Sequence, residues 1–392
     1  MSIALVGGRL IDVVGRRVVE RATIVVEDGV ISRCEAEGAV PDGVSRVIDL
    51  RGRTVLPGLI DTHVHVLTPA RRWELSEADA ALWGREQLEA ALLRGVTTVR
   101  DLGSQYQAIF ALQRLSGRDR RIPRVLAAGP AIAITGGHAW QRISVEADGP
   151  LGFALAVREQ LKAGADVIKL MATGGAGTAG QSPRWVQASA EEFASAVEVA
   201  HGAGRPVVAH AHGTEGIRMA VLAGVDTIEH GVFLDDETVD LMLERGTLLS
   251  PTLSVYPAIA RTEDRSIAEE HMVRKAIDTI EPHATSFRKA LAAGVGIVLG
   301  TDCGPLYHPV GAVGLELRLW VDNGMSAMDA IVAATIAAAR SCRIDADTGS
   351  IEVGKQADLV IVDGEPDREI GALEDVWMVV RGGMIVTEGD RG

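Results

Sequence analysis

Between residues 58 and 302 the chain repeats one pattern eight times: a short apolar run, a glycine or polar turn, then in most cases an amphipathic stretch. The apolar runs are 58–64 (GLIDTHV), 96–101 (VTTVRD), 124–130 (RVLAAGP), 166–171 (DVIKLM), 206–210 (PVVAH), 225–229 (VDTIE), 247–251 (TLLSP) and 296–302 (GIVLGTD). Short, near-continuous apolar runs of this kind predict strands of a buried parallel sheet. Stretches such as SEADAALWGREQLEAALLRG, PLGFALAVREQLKAG, SAEEFASAVEVAHGAG and HATSFRKALAAG lie between them and end in Ala-Gly or Arg-Gly, a helix stop. Eight strand–helix units predict an α/β fold, a (β/α)8 barrel of the TIM type over residues 57–348.

The two ends are written differently. Residues 2–56 carry short alternating runs (IALVGGRLID, RATIVVEDG, VISRCE, SRVIDLRG) separated by glycine-containing turns, which predict a small antiparallel sheet. The same style returns after residue 349 in ADLVIVDG and VWMVVRGGMIVTEG, so residues 1–56 and 349–392 are expected to pair into one composite β-sandwich domain.

Composition narrows the partners. With 392 residues, 47% of them hydrophobic, the chain can bury a sizeable core. Its 53 carboxylates against 39 Lys and Arg leave a net charge of -14, and no basic cluster could follow a phosphate backbone, which argues against nucleic acid. No uncharged run reaches the ~18 residues of a membrane span. The opening residues, MSIALVGGRLIDVVGRR, do not read as a signal peptide, and Cys34, Cys303 and Cys342 are unpaired in spacing, so a reduced cytoplasmic protein is expected. The partner is a small-molecule substrate, and a homo-oligomer is compatible with the sequence.

A barrel carries its chemistry at the C-terminal ends of its strands. There the sequence sets His63 and His65, Lys169, His210 and His212, His230, and Asp302. In His63-Val64-His65 the imidazoles are two apart, so on an extended strand both project from one face and can grip one ion. Lys169 stands inside an apolar run, where an ammonium without a partner costs roughly several kcal/mol; it must be paired or chemically altered.

The stretches LPGLIDTHVHV, ADVIKLMATGG, RPVVAHAHG, DTIEHG and VLGTDCG, in this order, resemble the amidohydrolase superfamily, nearest to its prolidase-like and imidazolonepropionase-like branch. The resemblance spans nearly the whole chain, including GSIEVGKQADLVIVD. It implies two divalent metal ions, zinc first and manganese, cobalt or iron as other fits. His63, His65 and Asp302 hold one, His210 and His230 the second, and Lys169 bridges both as a carbamate formed with carbon dioxide. Desolvation favours the neutral amine that this addition needs. Spacing leaves open whether His210 or His212 is the ligand after strand five; the family pattern indicates His210, with His212 supporting catalysis or substrate. The implied reaction is hydrolysis by a hydroxide bridging the ions, with Asp302 as general base.

The same resemblance assigns the substrate's carboxylate to a histidine after strand three and a tyrosine after strand seven, which are His138 in ITGGHAW and Tyr256 in SPTLSVY. Trp140 and Trp185 are candidates for an apolar wall or for core. TGGAGTAGQSPRWVQAS, residues 173–189, is a candidate mobile cover. Its G-x-G-x-x-G, Gly175 to Gly180, opens no helix, so a dinucleotide site is disfavoured. Cys303 reads as a small buried hydrophobe. His201, His271, His283 and His308 read as surface or helix histidines, with His308 on a loop of the active face.

The resulting expectation is a binuclear metal hydrolase that cleaves an amide bond next to a carboxylate: an Xaa-Pro or other dipeptide, or an N-acyl amino acid. The alternative on the same scaffold is hydrolysis of a cyclic amide, lactone, carbamate or aromatic xenobiotic amide of the ochratoxin kind. A silent scaffold or a nucleotide-binding oxidoreductase would show as absence of metal or as cofactor absorbance.

Overall fold

The computed structural model describes residues 2–40, 42–68, 75–104, 107–304 and 307–389, so Pro305 and Leu306 of the CGPLYHP turn lie outside the described residues. Five strands open the chain: β1 (Ser2–Asp12), β2 (Arg17–Glu27), β3 (Val30–Ala36), β4 (Arg46–Asp49) and β5 (Thr54–Pro57). Nine more follow, interleaved with helices: β6 (Leu59–Val64), β7 (Val96–Asp101), β8 (Arg124–Ala127), β9 (Ala131–Ala133), β10 (Ser144–Glu146), β11 (Ile168–Met171), β12 (Val207–Ala211), β13 (Thr227–His230) and β14 (Leu248–Ser250). The chain closes with β15 (Leu359–Val362), β16 (Val376–Arg381) and β17 (Met384–Glu388).

The middle is parallel and doubly covered, as its continuous apolar runs require: every residue of β6, β7, β11, β12 and β13 is buried. These strands form a three-stranded sheet, β6-β7-β8, and a six-stranded one, β10-β9-β11-β12-β13-β14. Seven of the eight expected runs are strands. The eighth, 296–302, makes only one isolated bridge, Ile297 to Leu249, with Cys303 just past it bridging Val64. Gly296, Gly300 and the left-handed backbone of Asp302 (φ 56°) interrupt its extended conformation. Its backbone still bonds both neighbours, through Val298 N–H to Leu249 O (3.0 Å), Thr62 N–H to Leu299 O (2.8 Å) and Asp302 N–H to His63 O (2.8 Å). β9 and β10, three residues each, escaped the sequence because so short a run has no period to read.

The helices stop where Ala-Gly predicts. Gly164, Gly224 and Gly294 take the left-handed cap at φ 109°, 94° and 85°. Helix Ala190–Gly202 starts on a reciprocal capping box between Ser189 and Glu192.

The two termini meet. β5 pairs antiparallel with β15, Thr54 opposite Val362 and Pro57 opposite Leu359. All eight terminal strands hydrogen-bond into one sheet, β17-β16-β15-β5-β1-β2-β3, with β4 added on β1. It is mixed where a purely antiparallel sheet was expected, since β4 and β5 both run parallel to β1 after a return crossing. One apolar cluster fills this sheet, with Ile3, Leu5, Ile24, Ile31, Leu359 and Met378 among its members. The larger cluster runs through the parallel strands and their helices and takes in Ile11, Val13, Leu56, Val360 and Val362, which joins the terminal sheet to the rest. All three cysteines are free, and among the described residues no helix is long and apolar enough to cross a membrane.

Candidate metal centre and active site

His63 is the last residue but one of β6 and His65 follows the strand, and the two-residue spacing turns both rings to the same side. Each ring is held from behind. His63 Nδ1–H donates to Glu229 Oε2 at 2.8 Å, and His65 Nδ1–H donates to the Gly103 carbonyl at 3.0 Å. Both Nε2 atoms are thereby aimed at Asp302 Oδ1, 3.5 Å from His63 and 3.1 Å from His65. The donor atoms of His63, His65 and Asp302 lie within 4.8 Å of one another, and so do those of His210, His212 and His230.

In the second group the histidines differ in what occupies them. His212 uses both nitrogens, Nδ1 on the Gly174 carbonyl at 3.1 Å and Nε2 on the Tyr256 hydroxyl. His210 makes one contact through Nε2, 3.3 Å from the same carbonyl, and stacks on His138 with ring centroids 4.3 Å apart. His230 Nδ1 meets Thr252 Oγ1 at 2.7 Å, and its carbonyl accepts from His283 Nε2 at 2.9 Å. His230, Thr252 and Asp302 all take left-handed backbone, φ 73°, 54° and 56°, which a side-chain-bearing residue adopts only where surrounding structure enforces it.

Lys169, on β11, is 2% exposed, and its Nζ has no hydrogen-bond partner among the described residues. Burial lowers its pKa to about 8, against which Glu229 and Asp302 pull upwards. Burial, then Lys169, brings His63 down to about 4, and burial followed by the neighbouring imidazoles holds His210 and His230 well below their ordinary value. These rings are neutral donors at neutral pH. Burial would raise Asp302, but His63 and His65 outweigh it and keep the carboxyl ionised, well below its usual range.

A cavity of about 120 Å³ opens over these groups. Its outer wall combines His138, Arg142, Tyr256 and Tyr307 with apolar Val255, Ile259 and Met272. Segment 173–189 covers one side and is laced in place: Lys275 Nζ donates to the carbonyls of Gly175 (3.2 Å) and Thr178 (2.8 Å), and Thr178 Oγ1 meets His138 Nδ1 at 3.1 Å. A Cβ on Gly175 would stand 2.3 Å from the His138 ring, so only glycine lets the segment pass.

The structure thus brings together His63, His65, Lys169, His210, His212, His230, Asp302, His138 and Tyr256 around one cavity. Trp140 and Trp185 are neither core nor wall of it; both are exposed. Cys303 is fully buried in the apolar cluster. His283 and His308 are buried rather than at the surface, His283 behind His230 and Tyr256, and His308 against Ser254 Oγ at 2.9 Å. Glu229 and Arg100 had no place in the sequence reading. The signal was present: each is an ionisable residue inside a buried apolar run, as Lys169 is.

Residues 54–386 match the model of the amidohydrolase family. The chain belongs to that family. The amidohydrolase is 30% identical to ochratoxinase of Aspergillus niger over 407 residues, 93% of this chain and 82% of the fungal enzyme. Among solved structures it superimposes on a Xaa-Pro dipeptidase with bound methionine (35% identity, TM-score 0.92, 99% of this chain and 100% of the other). It also superimposes on a prolidase complexed with N-methylphosphonate-L-proline (31% identity, TM-score 0.92, 99% and 100%). These neighbours fit the prolidase-like branch, and the amidohydrolase is a hydrolase acting on carbon–nitrogen bonds. Its two histidine-containing groups could each hold a divalent ion, the cofactor that the family generally uses.

Proposed function

We propose that this amidohydrolase cleaves an amide bond adjacent to a carboxylate, in an Xaa-Pro or other dipeptide or an N-acyl amino acid. One observation carries the reading: the Nε2 atoms of His63 and His65 converge on Asp302 beside a second histidine group, with the Nζ of Lys169 buried beside them and without a hydrogen-bond partner among the described residues. A buried amine with nothing to bond and a lowered pKa suits conversion to a carbamate, which removes the positive charge and supplies hard oxygen donors. His63, His65 and Asp302 would hold one ion and His210 and His230 the other, with carboxylated Lys169 shared; His210 is preferred because His212 has both nitrogens engaged. Two divalent ions, zinc being suited to these donors, supply Lewis-acid activation of water and of the scissile carbonyl.

The chain's own residues do the rest. Asp302, kept ionised by the imidazoles beside it, takes a proton from the attacking water and delivers it to the leaving nitrogen. His138 and Tyr256 receive the substrate carboxylate, and His212 orients Tyr256. The scaffold in this reading is a (β/α)8 barrel over 57–348, in which the backbone bonds of 296–303 stand in for the eighth strand, beside a composite domain in which 1–56 and 349–392 share one sheet.

The alternative, a carboxylate-free substrate such as a cyclic amide or an aromatic xenobiotic amide, is favoured by the apolar wall of Val255, Ile259 and Met272. A panel of dipeptides, N-acyl amino acids and carboxylate-free aromatic amides, assayed with zinc-loaded protein, tests the choice. Turnover confined to carboxylate-bearing substrates, lost in Tyr256→Phe, supports the first reading; equal turnover of carboxylate-free amides would refute it.

A further inference from the structure

We infer that Glu229 and Arg100 are positioning residues for His63, and that they give the His63–His65–Asp302 group a tighter hold on a divalent ion than the His210–His230 group has. The inference rests on the two-ion reading above and concerns residues that lie outside the cavity wall.

Glu229 is fully buried on β13, and its Oε2 accepts from His63 Nδ1 at 2.8 Å. Its Oε1 faces Arg100 Nη2 at 3.4 Å. Arg100, 1% exposed on β7, also donates from Nε to the carbonyl of Thr62 at 2.7 Å, one residue before His63. Three strands are therefore tied around one imidazole, with Arg100 fixing both the carboxylate behind the ring and the backbone that carries it. Stability does not account for the pair. A buried ion pair is at best weakly stabilising, and Arg100 Nη1 has no hydrogen-bond partner among the described residues.

The other rings are held by neutral groups. His65 leans on a carbonyl, His230 on a hydroxyl and His210 on a carbonyl. Among the described residues of the site, His63 alone has a carboxylate on its distal nitrogen. An anion there fixes the tautomer with Nε2 free and makes that nitrogen a stronger donor; loss of such a partner typically weakens metal affinity about 10–100-fold. Among the described residues Glu229 bonds no other ring of the site, and its pull on Lys169 falls on a group shared by both ions, so the difference between the two ions comes through His63.

The test is a zinc titration of the full-length, metal-stripped protein against a competing chelator in bicarbonate buffer, read as bound zinc rather than as turnover. The wild type should load in two separated steps. Glu229→Gln keeps an acceptor but removes the charge; it should weaken the tighter step about 10- to 100-fold and leave the weaker step within about threefold. Should that variant fail to fold, Arg100→Lys keeps the cation but replaces the planar fork that spans Thr62 O and Glu229 with a single nitrogen, and it should weaken the same step by a smaller factor. Two equal steps in the wild type, an equal loss on both steps in either variant, or no change in the tighter step overturns the inference. Absence of zinc binding in the wild type would overturn it together with the two-ion reading, whereas two-step loading that ignores Glu229→Gln overturns the inference alone.

Discussion

The cavity floor and the terminal sheet both bury charge, and they dispose of it in opposite ways. In the terminal sheet the carboxylate finds its partners within the chain: Asp358 accepts from Gly382 N–H at 2.7 Å and Thr348 Oγ1 at 3.1 Å and faces Arg381 Nη1 at 3.5 Å, although Arg381 Nε has no hydrogen-bond partner among the described residues. At the floor, five imidazoles from three strand ends crowd around Lys169, whose Nζ has no hydrogen-bond partner among the described residues, and burial drives most of the rings towards neutrality. Closed polarity is structural, whereas polarity left open at the end of a parallel sheet is addressed to something that the chain does not itself contain.

Substituting Lys169 sharpens this contrast most. Lys169→Met should lower kcat/KM about a thousandfold or more, the scale of several kcal/mol of metal-based stabilisation. The metal-free protein should melt no lower than wild type, because the change removes a buried amine that has no hydrogen bond to lose among the described residues. Parallel kinetics and calorimetry check both halves. A large fall in metal-free melting temperature would make Lys169 a structural residue like Asp358.

The reverse is expected in the terminal sheet. Asp358→Asn leaves Arg381, 2% exposed, without its carboxylate and should cost about 3 kcal/mol of unfolding free energy. Turnover per folded molecule should be unchanged. Denaturant titration and active-site-normalised kinetics separate the two; a loss of turnover without a loss of stability would break the division between the regions.

Glu316 stands between these cases. It is fully buried and accepts from Leu253 N–H (2.7 Å), Ser254 N–H (2.6 Å) and Trp320 Nε1 (2.7 Å), beneath the helix that carries Tyr256. Burial raises it from 4.5 to about 7 despite those donors. Because its folded pKa lies above its free value, the stability that it contributes is complete below pH 4.5 and is lost as pH rises through about 7. The stability of the metal-free wild type relative to Glu316→Gln should therefore fall by up to about 3 kcal/mol between those limits. A difference that stays constant with pH would show that the three donors keep Glu316 ionised throughout.

What could be read from the sequence follows from the same physics. The proposed ligands were legible because a parallel strand has no solvent face, so His63, Lys169, His210 and His230 within apolar runs demand an explanation. Arg100 in VTTVRD and Glu229 in DTIEHG make the same demand, but Glu229 and His63 are 166 residues apart, and no local spacing tells one buried charge which partner it will meet. His283 was illegible for a different reason. On an amphipathic helix a histidine reads as surface, and only the packing of Glu270–Ala293 over His230 and Tyr256 buries it. The eighth run lost its strand to Gly296, Gly300 and the left-handed Asp302, the residue whose turned backbone aims its carboxylate at His63 and His65.

The smallest effect is expected where the open region borders solvent. Lys275 crosses from helix Glu270–Ala293 to the segment over the cavity and donates to two of its carbonyls without touching the imidazoles at the floor. Lys275→Met removes both bonds, and with them the hold on Thr178, whose hydroxyl meets His138 Nδ1. For a half-buried lysine the loss is about 1 kcal/mol, which should appear as a roughly fivefold rise in KM with kcat within about twofold, because positioning of the substrate is loosened while the floor is intact. The same variant should be cut faster by protease within 173–189 at unchanged global stability. If kcat fell instead while KM held, the segment would be acting on the reacting groups themselves, and the boundary between cover and floor would have to be redrawn to include His138.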